Sequence, residues 1–368
     1  MLKELFNRIG PRTIFIIATI ILSVFGLVMV FSSSSINAME NYGDSFYYLK
    51  RQAFFLCAGF SMLLISSKLN IGLLEKRYKL FYLIGIILLI LVFVPTLGRK
   101  SGGATRWIDL IFFSIQPIEI SKYMLLIFIA QHLSIKNKRI TELKIGVIST
   151  FLPCLPYIIL LLIQPDFGNT VLICMTIFAM IIMAGAKISH IIGIFIFLTS
   201  AFLSLIYIAP YRMQRVFSFL DPYNDPQGSG YQIIQSFVSF AKGKFLGVGL
   251  GNSSQKLFFL PQGHNDFIFS IIAEELGFLG SFVVVVLFST LIYSGFKMLE
   301  RSKDLFSRNL LSGLLILISM QIIINLSVTV GLMPTKGVPL PLISYGGSSL
   351  IFTLSSLGLI LALDKRRK

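Results

Sequence analysis

Long apolar runs alternate with short polar segments from one end of the chain to the other. About 20 residues in a helix, at roughly 1.5 Å each, cross a hydrocarbon layer about 30 Å thick. Ten stretches approach or exceed that length: 13–32, 52–67, 80–97, 117–133, 145–163, 170–186, 191–209, 267–296, 309–330 and 344–363. The second and fourth are short and the eighth is long. Lipid offers a backbone no hydrogen-bonding partner, so each run predicts a helix that satisfies its own N–H and C=O groups. The expected fold class is all-α, a polytopic integral membrane protein with about ten transmembrane helices. No repeat or low-complexity linker divides the chain, which reads as a single membrane domain over 1–368.

One polar segment departs from this pattern. Residues 210–266 form a connection far longer than the others, and loops of more than about 15 residues in compact proteins are usually functional or disordered. This one carries Phe, Tyr, Ile and Leu throughout, unlike a linker. Within it, YQIIQSFVSFAKGKF places apolar residues at helical spacing, which predicts a short helix lying in the membrane interface. Gly247, Gly249 and Gly251 fit no complete nucleotide fingerprint and predict a tight turn.

Composition narrows the class. The 368 residues are 55% hydrophobic and 13% charged, against about 25% charged in soluble domains, and mean hydropathy is +0.84. A soluble fold is excluded. The net charge of +16 would point to nucleic acid in a soluble chain, but here topology distributes the cations. With the N-terminus inside, the inner segments hold 20 of the 32 Lys and Arg and the outer ones 11, with Lys122 inside a span. The positive-inside rule places both termini in the cytoplasm and makes 210–266 one large outer loop. No nucleic-acid partner is required. The first run lacks a small-residue cleavage site and is followed by further spans, so it reads as an anchor. Cys57, Cys154 and Cys174 fall within spans, which indicates neither a disulfide framework nor a metal site.

Charged and helix-breaking residues then gather on the outer side. GRKSGGATRWIDLIFFSIQ at 98–116 and LMPTKGVPLPLISYGG at 332–347 mix cations, glycines and apolar residues. Gly and Pro around Lys336 interrupt helix near the membrane surface, which is tolerated where protein or a watery cavity covers the freed backbone groups. Trp107, beside Arg106, reads on its own as an interface anchor. Inside spans, ionisable groups are expensive and mark function or internal pairing. Glu119 and Lys122, three residues apart, share a face and can neutralise each other. Asp166 precedes the sixth span, where the helix dipole favours an acid. Glu274 and Glu275 lie two turns into the eighth span and require partners that spacing does not identify. Asp266, close to His264 and directly before the same span, has two readings. It is a helix N-cap, or it is a carboxylate at the outer mouth of a cavity. The second suits removal of a proton from a sugar hydroxyl while outer cations hold a phosphate leaving group.

In order along the chain, GGATRWIDL, IQPIEISK, QPDFGN, DPYNDPQGSGYQIIQS, GVGLGNSSQKLFFLPQGHNDFIFSIIAEELGFLG and LMPTKGVPLPLISYGGSS resemble the motif set of the SEDS (shape, elongation, division and sporulation) family. The resemblance covers about residues 98–350. GVGLGNSSQK, MPTKG and GYQIIQS look closer to the division member than to the elongation member. His264-Asn265-Asp266 departs from the family's usual His-Thr-Asp at its middle residue and keeps the carboxylate, and Ile118 stands where a small residue is common.

The resemblance implies a peptidoglycan glycosyltransferase that polymerises lipid II into glycan strands at the outer face of the bacterial cytoplasmic membrane, at the septum, releasing undecaprenyl pyrophosphate. It implies Asp266 as general base and Arg106, Lys256 and Lys336 as contacts to the diphosphate or donor, with His264 and Trp107 beside the substrate. Glu119, Lys122 and Asp166 form its supporting cavity. The implied partners are a class B penicillin-binding transpeptidase and other division proteins. No cofactor is established by the residues, although a divalent cation, Mg or Mn, suits the diphosphate. Three alternatives stay open: a lipid II flippase, since intramembrane charges and broken helices suit transport as well; an elongation-type polymerase; and a non-catalytic scaffold for division partners.

Overall fold

The structure, a computed structural model, describes residues 10–366 apart from 102–103, 110–113, 209–212, 214–216, 229, 258–259, 262 and 336. Each of the ten apolar stretches contains a helix. These are α1 (Pro11–Tyr42), α2 (Tyr47–Ser66), α4 (Tyr78–Leu91), α5 (Ile118–Lys136), α6 (Leu143–Ile163), α7 (Phe167–Met183), α8 (Ile188–Ile208), α10 (Ile268–Leu299), α11 (Leu305–Thr329) and α12 (Gly347–Lys365). Among the described residues, seven of them, α1, α2, α5, α6, α10, α11 and α12, are long and apolar enough to cross a membrane. The chain is a polytopic helical membrane protein. A short helix α3 (Ile71–Lys76) follows α2, and α9 (Tyr231–Gly243) lies in the long connection.

Local chemistry sets several of the ends. Pro11 opens α1, where its missing N–H is harmless. The helix closes at Gly43, whose left-handed φ of 69° turns its N–H back onto the Met39 carbonyl at 2.9 Å. Helix α6 is irregular: a π turn over Leu143–Ile148 and a 3-10 turn over Leu152–Cys154 precede its α-helical end. Pro153 and Pro156 remove N–H donors from that part of the ladder. Helix α9 forms where the sequence predicts a short helix and buries Ile233, Ser236, Ser239 and Gly243 on one face.

The all-helical expectation misses one feature. Among the described residues of segment 98–116, β1 (Gly98–Ser101), β2 (Ala104–Asp109) and β3 (Ser114–Ile115) form a three-stranded antiparallel sheet in the order β1-β2-β3. Thr105, Trp107 and Ile108 are good strand formers, and the segment is too charged and too short to span a membrane.

The chain divides into two compact units. One comprises Met1–Cys57, Ile196–Ser294 and Gln321–Gly346, the other Ala58–Phe195, Gly295–Met320 and Gly347–Lys368. In the first, Gly26 of α1 lets the backbone of the 332–346 segment approach directly: a Cβ there would lie 2.7 Å from Ile343 Cα. The second unit relies on similar small-residue contacts. Gly358 of α12 faces the Leu63 carbonyl, and Ser66 donates to the Ser355 carbonyl at 2.7 Å.

Candidate functional site

In the first unit, Asp266 stands two residues before the start of α10 on a segment whose backbone is held at consecutive positions. The Tyr345 N–H donates to the His264 carbonyl at 3.0 Å. Ser344 Oγ donates to the Asn265 carbonyl at 2.6 Å and itself accepts from the Leu340 N–H at 2.8 Å. Asn325 Nδ2 donates to the Asp266 carbonyl and to the Val338 carbonyl, each at 2.9 Å. Three successive carbonyls thus have three separate donors, all from residues 325–345. Buried Gln52 of α2 ties down the 344–346 backbone in turn, giving its Nε2 to the Ser344 carbonyl at 3.2 Å and accepting the Gly346 N–H at 3.4 Å.

The part-buried carboxylate of Asp266 faces Gly337, where an added Cβ would lie 3.3 Å from Oδ2. Lys336, the neighbour of Gly337, lies outside the described residues. The His264 ring packs 4.8 Å from the Tyr48 ring and 5.8 Å from that of Tyr345. Burial there pushes the imidazole pKa down to about 4, so His264 is neutral at pH 7.

Beyond Asp266, α10 is broken at Gly277, whose φ of 67° and ψ of −163° are not helical. The turn after α9 repairs the break. Val248 and Gly249 N–H groups donate to the Glu274 and Glu275 carbonyls at 3.0 and 2.9 Å, and Phe278 and Leu279 N–H groups donate to the Lys244 and Phe245 carbonyls at 2.9 and 3.1 Å. This is how non-helical backbone survives at membrane depth. The close approach requires glycine on both sides, since a Cβ on Gly247 would meet the Glu275 carbonyl and one on Gly277 the Phe245 carbonyl. Gly247, Gly249 and Gly251 all have left-handed φ, so the sequence-predicted tight turn is present.

The same loop, together with Ser32 of α1, supplies the missing partners of the two glutamates. Glu274 accepts from Ser253 Oγ, from the Ser254 N–H at 3.0 Å, from Ser254 Oγ at 2.9 Å and from the Gln255 N–H at 3.3 Å. Glu275 pairs with Lys256 at 3.2 Å and accepts from Ser32 Oγ at 2.6 Å. Lys256, expected at the substrate diphosphate, is buried, and its ammonium is engaged by Glu275 and the Gly251 carbonyl.

In the second unit, Glu119 and Lys122 form the expected ion pair at 2.6 Å, with side chains 4% and 1% exposed. Asp166 caps α7, accepting from the Asn169 N–H at 3.3 Å and Asn169 Nδ2 at 2.8 Å, and also from Gln116 Nε2 at 3.4 Å. Arg106 donates from Nε to the Gln164 carbonyl at 3.3 Å and from Nη2 to the Pro165 carbonyl, which ties β2 to the turn that carries Asp166. Trp107, part-buried on β2, pairs with Arg99 of β1.

Within each unit the expected residues therefore cluster: Asp266 with His264, and Arg106 with Asp166. Sequence reasoning passed over Gln52, Asn325 and Ser344. Asn325 had a visible signal, an amide inside an apolar span, which lipid penalises unless it has partners. Among the described residues, no group of three or more His, Cys, Asp and Glu side chains is placed to hold a metal ion.

Fold and site define a multi-pass membrane protein that fixes a carboxylate at the end of a broken helix. The sequence profile of the FtsW/RodA/SpoVE cell cycle proteins matches residues 12–368, and the chain belongs to this family, the SEDS proteins. Stage V sporulation protein E of Bacillus subtilis is 38% identical over 98% of both chains. A probable peptidoglycan glycosyltransferase FtsW of a Geobacter species is 37% identical, again over 98% of both. Among solved structures, a chain from a peptidoglycan synthase complex that coordinates polymerization and crosslinking aligns with a TM-score of 0.79 and 31% identity, covering 96% of this chain and 97% of that one. The Thermus thermophilus rod shape determining protein RodA, crystallised with one aspartate replaced by alanine, aligns with a TM-score of 0.72 and 26% identity over 96% of this chain and 97% of that one.

Proposed function

We propose that the chain is a peptidoglycan glycosyltransferase that polymerises lipid II at the outer face of the bacterial cytoplasmic membrane, in septal wall synthesis. The observation that carries the reading is the clamp on His264-Asn265-Asp266: three consecutive carbonyls, each with its own donor residue, fix the backbone that carries a part-buried aspartate. Such preorganisation suits a general base more than a flexible cap. In the proposed step, Asp266 takes the proton of the GlcNAc 4-hydroxyl on one lipid II. The freed oxygen bonds to C1 of the MurNAc on the lipid-linked strand. The C1–O bond to the diphosphate breaks, and undecaprenyl pyrophosphate departs with the electron pair.

Lys336 is assigned to the leaving diphosphate, where charge grows in the transition state. Arg106 holds β2 beside the Asp166 turn and keeps Trp107 in place for the substrate, with His264 as its counterpart near Asp266. Lys256 acts through Glu275, not by touching the substrate. Glu119, Lys122 and Asp166 support the cavity wall. Mg or Mn would arrive with the diphosphate as part of the substrate. The proposed topology has ten crossings, both termini inside and 210–266 as the outer loop of a single membrane domain. Similarity to a chain of a peptidoglycan synthase complex supports a class B penicillin-binding transpeptidase as partner.

The test is strand formation by the purified protein from lipid II presented in detergent, with and without the transpeptidase. Glycan polymer supports the reading. Lipid II movement across vesicles with no polymer in either condition would make the chain a flippase.

A further inference from the structure

We propose that the chain holds the headgroup of an anionic phospholipid in a cavity formed where α2 and α12 end, at the expected inner surface of the membrane. The cavity has a volume of about 590 Å³ and lies against the turn after α2, the start of α3 and the last turn of α12. Lys68, Lys365 and Arg366 line it, and among the described residues no Asp or Glu does.

The three cations are held differently. Arg366 is fixed from behind by Glu75 at 2.8 Å and Asp304 at 3.4 Å. A guanidinium has five N–H donors in a rigid fork, so these carboxylates leave donors for a third anion. Lys68 and Lys365 are exposed, two mobile point charges that can close on a phosphate. Beside them, Ser67 and Asn70 add polar groups to the lining.

The apolar part of the surroundings distinguishes a lipid from a soluble anion. Leu69, Ile71 and Ala362, with Gly72, complete the lining. On the adjoining surface Leu64, Ile65, Leu69 and Leu73 are 60%, 58%, 42% and 48% exposed. Ser66 and Lys365 are the last residues of two apolar helices, so the cavity sits at the depth where hydrocarbon gives way to headgroups. Basic pockets at this level suit anionic lipid headgroups. A phospholipid uses both features at once, phosphate against the cations and acyl chains along the leucines. Inorganic phosphate would use only the first. Because the excess of Lys and Arg defines the inner side, the ligand belongs to the inner leaflet, and the site is independent of the proposed catalytic reaction.

The test titrates the full-length, delipidated protein in detergent with phosphatidylglycerol and counts bound lipid by native mass spectrometry. Phosphatidylcholine and inorganic phosphate are parallel arms. The variant is Lys68→Gln with Lys365→Gln, both exposed positions that leave the Arg366 pairs intact. A control removes equal charge elsewhere on the same expected side, Lys144→Gln with Lys187→Gln. At about fivefold per lysine near an anionic headgroup, the first pair should weaken phosphatidylglycerol binding roughly 30-fold and the control pair should change it little. Equal weakening by both pairs, equal binding of phosphatidylcholine, or occupancy by inorganic phosphate at matched concentration would each overturn the proposal.

Discussion

Residue by residue, Glu119, Lys122, Lys256, Glu274 and Glu275 are buried with specific polar partners. Leaving one member of a buried ion pair without the other costs about 3–5 kcal/mol, which applies to Glu119 and Lys122, joined at 2.6 Å. Glu119→Gln and Lys122→Met should each lower the unfolding midpoint in detergent, and the double variant should recover part of the loss. Simple additivity in that cycle would mean that the two side chains act independently. A second prediction concerns pH. His264 has a folded pKa of about 4, below the ordinary value of about 6.5. Between those values the unfolded chain takes up a proton that the folded chain resists, so stability is full above about pH 6.5 and falls as pH drops toward 4. His264→Phe should lose less stability than wild type between pH 7 and pH 4, and identical losses would remove His264 as the cause. Residue spacing made the Glu119–Lys122 pair legible because the partners are three apart. The partners of Glu274 and Glu275 were not legible. Ser253 lies 21 residues away from Glu274, and Ser32 lies 243 from Glu275; only the fold brings them together.

At the scale of elements, the break in α10 and the glycine turn after α9 are complementary parts. Gly277 has a conformation that side chains avoid, and a Cβ there would lie 2.6 Å from the Phe245 carbonyl oxygen. Gly277→Ala should therefore cost roughly 1–3 kcal/mol and speed proteolytic cutting within 244–256. Gly193→Ala is the matched control, because a Cβ there meets nothing within 4 Å. If the two variants behaved alike, the docking of the turn on the break would have no energetic weight. The helices themselves were readable from apolar run length, and the turn from its three glycines. The break was not, because nothing in the sequence distinguishes Gly277 from Gly280, which stays helical three residues later. The small sheet at 98–116 was missed for a different reason: its strands are too short and too charged to show a clear alternation. The pairing of Lys256 with Glu275 was not legible either, because 19 residues separate the two and only the fold brings them together.

For the whole molecule, the account requires that the long connection and the Asp266 clamp face outward. In a background lacking Cys57, Cys154 and Cys174, a cysteine placed at exposed Ala241 should react with an impermeant thiol reagent in intact cells, and one at Lys187 only after permeabilisation. The reverse pattern would put the proposed chemistry in the wrong compartment. The claim that binds these scales together is that the clamped carboxylate is the base. Asn caps helices about as well as Asp, so Asp266→Asn preserves shape and most hydrogen bonding while removing the proton acceptor. The most direct measurement is glycan-strand formation from lipid II by purified Asp266→Asn protein beside wild type, at equal folded concentration and with transpeptidase binding verified for both. The variant should form no polymer despite normal folding and partner binding; near-normal polymer would contradict the base role and return Asp266 to a purely structural one at the start of α10.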